Sequence, residues 1–340
     1  MFEFLKSILQ SRSKKDPPIP TEEKDQEPIK LPEVPLAMQA LVSPPDERDY
    51  PVCRAMEVST NLVIPEDFSV WQPPVEDQGS TGNCVAQSIA NIMECIAHEY
   101  GNKHEDYSVG YIYGAPENTA YNGGMYPREA CGIVVDRGDL LRSEFENYLE
   151  NPACKIAWNN SITDELNELA GTRRALAYIR IKTKEEMQAF MYKYNLPVML
   201  VAPTSAYYKG TDGRHATVCY GWVSEETDRK DPTKYNDAYE SSAGYEDLLF
   251  TNSWGPWFHR SGRGACKFED IEEIWGIVPM DKIQLTDLDG CWAASDIRYL
   301  VNLGIIKGYE DNTFRPNNPV TRAEMAALLA RVIREFKGQE

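Results

Sequence analysis

Gln78-Gly79-Ser80-Thr81-Gly82-Asn83-Cys84 runs directly into Val85-Ala86-Gln87-Ser88-Ile89-Ala90-Asn91-Ile92-Met93, and this junction decides how the chain is read. The first half is turn-forming, and the second is apolar at helical spacing, so Cys84 opens a helix. A cysteine in that place has its thiolate stabilised by the unpaired N–H groups of the first turn and by the positive end of the helix dipole. Gln78, six residues earlier, supplies a side-chain amide that can donate, with the Cys84 N–H, to an oxyanion. One short segment therefore offers a nucleophile and a place for the charge its attack creates.

A thiol nucleophile at neutral pH also needs an imidazole, and the imidazole needs a group to orient it. The chain has only four histidines: His98, His104, His215 and His259. His215 lies in Gly213-Arg214-His215-Ala216-Thr217-Val218-Cys219-Tyr220-Gly221-Trp222, a β-branched and aromatic run that reads as a strand leaving a glycine turn. A second apolar strand, Leu248-Leu249-Phe250-Thr251, ends in Asn252-Ser253-Trp254-Gly255. The Asn252 amide can accept from one ring nitrogen of His215 and leave the other for the thiol, while the Trp254 indole shields that bond from water. His98 and His104 read as surface residues and His259 as a structural one.

These residues resemble the papain-like cysteine peptidases. The order matches, and Cys84 precedes His215 by 131 positions, within the roughly 130–150 residues typical of papain and the cathepsins. The resemblance implies Cys84 as nucleophile, His215 as base, Asn252 as its orienter and Gln78 as oxyanion donor. It also implies that Gly123-Gly124 hydrogen-bonds the substrate backbone, with Met125, Ala216 and Trp254 lining the cleft. The fold implied is α+β with two lobes, one helical and one built on a sheet. Three positions depart from the pattern: Thr81 stands where relatives have a half-cystine, Val85 replaces an aromatic, and Arg214 replaces an acidic or amide residue. The missing bridge and the changed residues alter the cleft wall and leave the proton path untouched.

Composition narrows the field. A net charge of −18 and a pI near 4.8 exclude phosphate-backbone binding as a primary role, so no nucleic-acid partner is expected. Eight cysteines contain no C-x-x-C pair, which argues against zinc and thioredoxin chemistry; no metal and no cofactor are expected. Apart from Cys84, the cysteines read as small, buried, reduced side chains. No stretch approaches membrane-spanning length, and Met1–Gln10, broken by Glu3 and Lys6, is not a convincing signal peptide.

Along the chain, residues 1–45 read as an extended leader rich in Pro, Glu and Lys, either an inhibitory pro-segment lying across the cleft or a tether. Residues 46–283 form the expected peptidase domain, helical first and strand-rich after about residue 174. Helices are expected over 84–100, 126–136 and 161–170, with an amphipathic one over 183–194 capped by Thr183 and Glu186. The polar stretch 224–245 reads as an insertion or flap.

Residues 284–340 change character. A helix over 292–303 stops at Gly304, a turn-rich loop follows, and Thr321-Arg322-Ala323-Glu324 forms a capping box ahead of an apolar stripe from Met325 to Phe336. With Asp287, Trp292-Ala293, Gly304-Ile305-Ile306-Lys307-Gly308-Tyr309 and Phe314-Arg315-Pro316, this unit resembles a single S-layer homology motif. That resemblance implies binding of an acidic secondary cell-wall polymer, with Arg322 contacting the glycan. Because such motifs usually come in threes, self-association through the module is a further expectation. The module points to the cell envelope, whereas the weak N-terminal signal and the eight cysteines point to the cytoplasm.

The function expected is hydrolysis of peptide bonds in a peptide or protein substrate through a Cys84 thioester. Two other classes stay open: a catalytically silent protein binding peptides and glycan, and a peptidoglycan amidase or acyltransferase of related geometry, against which Asn252 argues.

Overall fold

Helix α1, Cys84–Gly101, runs through the middle of the structure, with Cys84, Val85, Ala86, Ile89 and Ile92 all fully buried. Its apolar residues cover most of its circumference, as expected for a helix packed on several sides. The computed structural model describes residues 40–44, 46, 63–101, 103–116, 123–145, 154–208, 212–230, 247–258, 261–280, 285–288, 290–302, 305–309 and 313–337. The leader upstream of residue 40, most of the 224–245 insertion, and His259 lie outside the described residues.

Around α1 pack α2 (Val109–Gly114) and α3 (Pro127–Asp136), with α4 (Cys154–Ser161) against α2. Ser108 caps α2 by accepting from the Tyr111 N–H, and Pro127 opens α3 where its missing N–H costs nothing. The helix expected over 161–170 is α5, Asp164–Ala170, started by the Thr163 cap, while α4, which ends at Ser161, was not expected. A cap residue there competes with helix continuation, because its hydroxyl satisfies the Leu166 N–H only when Thr163 itself is extended.

The described residues form an antiparallel sheet of seven strands, all but β1 in the second half: β1 (Phe68–Ser69), β2 (Ala177–Ile181), β3 (Val198–Pro203), β4 (Arg214–Trp222), β5 (Leu248–Thr251), β6 (Arg263–Cys266) and β7 (Glu273–Val278). The order is β2-β7-β3-β4-β5-β6, with β1 pairing onto β4. At that crossing a Cβ on Gly221 would lie 2.2 Å from the Phe68 carbonyl oxygen, so only glycine admits the pairing. Strand β3 shows why both faces are covered. Met199 and Val201 join the core formed with α1, while Val198, Leu200 and Ala202 join the core on the other face, under α6 (Lys184–Tyr194). Alternation with period two therefore makes the sheet a wall shared by both cores. Helix α6 carries the expected capping box of Thr183 and Glu186.

After residue 284 come α8 (Ala294–Asn302) and α9 (Arg322–Lys337), the latter preceded by the expected Thr321–Glu324 box. Leu285, Leu288, Ile297, Ile305 and Ile306 form their own small core. A short helix, α7 (Glu225–Lys230), opens the charged segment after β4.

Candidate active site

His215 and Asn252 meet directly, Gln78 joins them through Ser253, and Cys84 opens the helix packed against the His215 strand. Cys84 is the first residue of α1, His215 the second of β4, and Asn252 follows β5 directly. The pairing of β4 with β5, Val218 opposite Thr251, is what brings the histidine and the asparagine onto neighbouring strands. His215 Nε2 and Asn252 Oδ1 are 2.7 Å apart. A carboxamide oxygen only accepts, so the Nε2–H donates and the neutral ring carries its lone pair on Nδ1. Nδ1 makes no hydrogen bond among the described residues, which leaves it to take a proton from a thiol.

The imidazole is held between aromatic rings. Trp254 stacks on it with centroids 4.5 Å apart and planes at 26°, and Tyr207 meets it edge-on at 5.9 Å and 82°. Burial above all pushes the Tyr207 hydroxyl up, and a charge on Cys84 would add to that, which sets the thiol in the same neighbourhood. Sequence reading anticipated the Trp254 shield and missed Tyr207, which sits in a turn after β3 that carries no chemical signature.

Gln78 is oriented from both ends. Its Oε1 accepts from Ser253 Oγ at 2.6 Å, and its Nε2 donates to the Thr81 carbonyl at 2.8 Å. Its backbone N–H donates to the Ser253 carbonyl at 2.8 Å. With the acceptor oxygen engaged by Ser253, the amide N–H edge is turned back toward the loop that leads into Cys84. Thr81, where a bridge is missing, thus helps to fix Gln78. Ser253 was not singled out in the sequence, although its place beside Asn252 was the available clue.

Cys84 and His215 are both 0 % exposed, and Gln78, Asn252 and Trp254 are nearly so. Burial drives the His215 pKa down to about 4, against a smaller upward push from the Asn252 hydrogen bond. A segment N-terminal to the body contributes to this closure. Ala40 forms a bridge with Met125, donates to the carbonyl of Arg214 at 3.2 Å, and is followed by Leu41, which donates to the Met125 carbonyl at 3.1 Å. Ser43 is buried: its N–H donates to Glu273 Oε1 at 2.6 Å, and its carbonyl accepts from Arg180 at 3.2 Å. Arg128 reaches the Ser43 hydroxyl through its N–H and the Pro44 carbonyl through its guanidinium.

Residues 40–44 therefore link the Met125 loop to the backbone beside His215. Of the expected wall residues, Met125 and Ala216 are fully buried, and the Gly123 carbonyl accepts from Tyr113 while Gly124 follows it. Arg214 turns its guanidinium to Glu272 at 2.6 Å, away from the imidazole. His104 is exposed as expected, but His98 is half-buried, stacked on Trp71 at 4.0 Å. Six cysteines, Cys84 included, form no disulfide among the described residues, and no group of three metal-binding side chains occurs among them. No helix among the described residues is long and apolar enough to cross a membrane.

Comparison with known proteins places both parts. Residues 284–326 match the S-layer homology domain family. A stretch of 50 residues is 52% identical to the Cellulosome-anchoring protein of Acetivibrio thermocellus, and one of 52 residues is 42% identical to Cell surface glycoprotein 1 of the same organism. Each covers 15% of this chain but only 11% and 2% of those proteins, so the likeness is confined to a small part of their length.

The body is similar to the crystal structure of xylellain, a cysteine protease from Xylella fastidiosa, with a TM-score of 0.54 and 15% identity over 73% of this chain and 98% of that one. Digestive procathepsin L2 proteinase from Tenebrio molitor larval midgut matches at TM-score 0.52 and 18% identity, covering 73% and 81% of the two chains. Procathepsin B S9 from Trypanosoma congolense matches at 0.50 and 14%, covering 72% and 86%. The fold is that of the papain-like cysteine proteases, a mixture of helices and antiparallel sheet, followed by an S-layer homology domain.

Proposed function

We propose that the chain is a cysteine-type peptidase that hydrolyses peptide bonds through a thioester on Cys84. The observation that carries this reading is the 2.7 Å contact of His215 Nε2 with Asn252 Oδ1, sealed under Trp254, on the strand that packs against the helix Cys84 opens. In this mechanism Nδ1 of His215 takes the Cys84 proton, and the thiolate attacks the scissile carbonyl. The oxyanion receives hydrogen bonds from Gln78 Nε2 and the Cys84 N–H. The imidazolium then protonates the departing amine, and water, deprotonated by His215, resolves the thioester to free acid. Asn252 holds the ring in the tautomer this sequence needs, and Trp254 keeps water off their hydrogen bond.

Residues 40–44 act in this reading as an inhibitory strap belonging to the leader. With the strap in place a peptide cannot reach the Met125 and Arg214 backbone groups that Ala40 and Leu41 use. His215, buried, stays neutral and cannot pair with a thiolate. Opening the strap readmits water and lifts the histidine back toward its ordinary range. The peptidase domain of residues 46–283 and the module of residues 284–340 then divide the labour. The module holds the enzyme to an acidic cell-wall polymer, with the exposed Arg322 as glycan contact.

The test is a fluorogenic peptide assay under reducing conditions, together with labelling by a thiol-directed epoxide and sedimentation with purified wall polymer. Turnover that disappears in Cys84→Ala, and label confined to Cys84, are the expected results; undiminished turnover in Cys84→Ala ends the reading. Complete burial of Cys84 and His215 favours one other reading, a silent peptide-binding cleft. Peptide binding without turnover, even after the strap is displaced, would select it.

A further inference from the structure

Beside Asn252 lies a small polar pocket, lined among others by Glu76, Gln87, Ser88 and Asn91 and not by His215. Gln87 sits three residues past Cys84 on α1 and is only 4% exposed, yet neither its Oε1 nor its Nε2 has a hydrogen-bond partner among the described residues. Asn252 is 2% exposed, and its Nδ2 is likewise without a partner among them. Two buried carboxamides thus face one pocket with open hydrogen-bonding capacity, a costly arrangement unless something mediates between them.

The surrounding side chains are already engaged. Ser88 Oγ donates to the Cys84 carbonyl at 3.0 Å, and Thr251 Oγ1 donates to Gln72 Oε1 at 3.0 Å. Ser253 Oγ donates to Gln78, and Glu76 accepts from Arg142 at 2.8 Å. The cavity volume is about 20 Å³, against the roughly 10–15 Å³ that one water requires.

We propose that this pocket holds one ordered water that accepts from Asn252 Nδ2 and donates to Gln87 Oε1, which makes Gln87 a positioning residue for the Asn252 amide. The inference rests on the peptidase reading for its consequence and on the pocket for its existence. Oxygen and nitrogen of a carboxamide are nearly the same size, so packing alone does not choose which of them faces His215. A flipped amide would present N–H groups to Nε2, force the ring proton onto Nδ1, and remove the lone pair that must receive the thiol proton. The Ser253 N–H, 2.7 Å from Asn252 Oδ1, favours the productive orientation from one side. The water and Gln87 favour it from the other.

The experiment has two readouts on the full chain. A crystal structure at about 1.8 Å or better is expected to show a water within about 2.7–3.2 Å of both Asn252 Nδ2 and Gln87 Oε1. No density there overturns the proposal. The second readout is the pH dependence of Cys84 alkylation by iodoacetamide in the unchanged chain, in Gln87→Met and in Gln87→Asn, with melting temperatures alongside.

A thiolate paired with an imidazolium reacts in acid, a lone thiol only in alkali. Gln87→Met, similar in size but unable to donate or accept strongly, is expected to lose about tenfold in rate at pH 5 while staying within about twofold at pH 9. Gln87→Asn, which keeps the amide, is expected to recover most of the loss. Opening of the strap enters the unchanged and the substituted chains alike at each pH, so comparing their pH 5 to pH 9 ratios isolates the ion pair. A ratio in Gln87→Met equal to that of the unchanged chain overturns the positioning role. A chain that reacts only in alkali even with the strap weakened by Ala40→Pro instead overturns the peptidase reading, and the crystallographic water then decides the pocket by itself.

Discussion

The groove and the C-terminal module solve opposite problems with similar materials. In the groove every polar group proposed to do chemistry is withdrawn from water, and most are held by two or three neighbours. In the module only Leu285, Leu288, Ile297, Ile305 and Ile306 are buried among the described residues, and α9 shows Met325, Leu329 and Ile333 to solvent at 50%, 56% and 53%. Proton transfer between a thiol and an imidazole needs fixed geometry and exclusion of water, and burial supplies both. Capture of a polymer needs accessible surface, and a small unit that offers it retains a thin core. Stability and function are therefore coupled tightly in the groove and loosely in the module.

The largest expected effect tests the groove's side of that comparison. His215→Ala should lower kcat/KM by about a thousandfold, and Asn252→Ala by about ten- to a hundredfold, because the base vanishes in one case and only its orientation in the other. Steady-state kinetics on one fluorogenic peptide measure both. Equal losses would mean that Asn252 does more than orient the ring. Neither change should alter sedimentation with wall polymer.

A smaller effect concerns the strap. Ala40→Pro removes the N–H that reaches the Arg214 carbonyl, at a cost of about 1 kcal/mol. The full chain should then hydrolyse peptide about fivefold faster, that energy expressed as a population of open strap. An unchanged rate would show that residues 40–44 cover the groove without governing access to it.

How much of this was legible beforehand follows the same division. Cys84, His215, Asn252 and Gln78 could be read because each combines a rare residue type with a local signal: a helix start, a strand, an amide ending a strand. The fold class followed from their order and from the shift from helical spacing to β-branched runs. Ser253, Gln87 and the anchoring of residues 40–44 by Glu273, Arg180 and Arg128 were not legible, since their roles arise from contacts between segments far apart in the chain, and Tyr207 was not because its turn carries no chemical signature. Helix α4 was not legible because Cys154–Ser161 is short and mixes polar with apolar residues without a clear stripe, whereas α5 falls within the expected 161–170. His98 was misjudged as a surface residue because nothing local announces the distant Trp71 that stacks on it.

The third prediction separates the body's stability from its chemistry. Glu94, on the far part of α1, is raised to about 8, chiefly by burial and secondarily by the charge of Asp106. Its unfolded counterpart ionises near 4.5, so the native state holds the extra proton between those values. Stability from this group is full below pH 4.5, falls as pH rises to about 8 and is flat beyond. His215 acts in the opposite sense, costing stability as pH falls from 6.5 toward about 4. Glu94→Gln keeps the hydrogen-bonding oxygen that accepts from the Tyr107 N–H and removes the titration. It should melt higher than the unchanged chain at pH 9, by on the order of 2 kcal/mol, and nearly alike at pH 5. Melting curves that stay parallel at both pH values would contradict a buried, protonated Glu94.

The smallest effect sharpens the module's side. Thr321 Oγ1 accepts from the Glu324 N–H at 3.2 Å, and Glu324 reaches back to the Thr321 N–H at 2.7 Å. The exposed Glu324 carboxyl is held below its ordinary range by the Thr321 backbone N–H and then by its hydroxyl. Thr321→Ala removes half of this reciprocal cap, at about 1 kcal/mol. In a thin core that is enough to fray the first turn of α9 and lower the affinity for wall polymer by about fivefold, because Arg322 is the residue that turn presents. Peptide hydrolysis should not move, since the capping hydroxyl touches nothing in the groove. Hydrogen exchange at residues 322–326, read beside a peptide assay on the same sample, checks both halves. Faster exchange accompanied by a lost rate would show that the module supports the groove, and the loose coupling argued for it would fall.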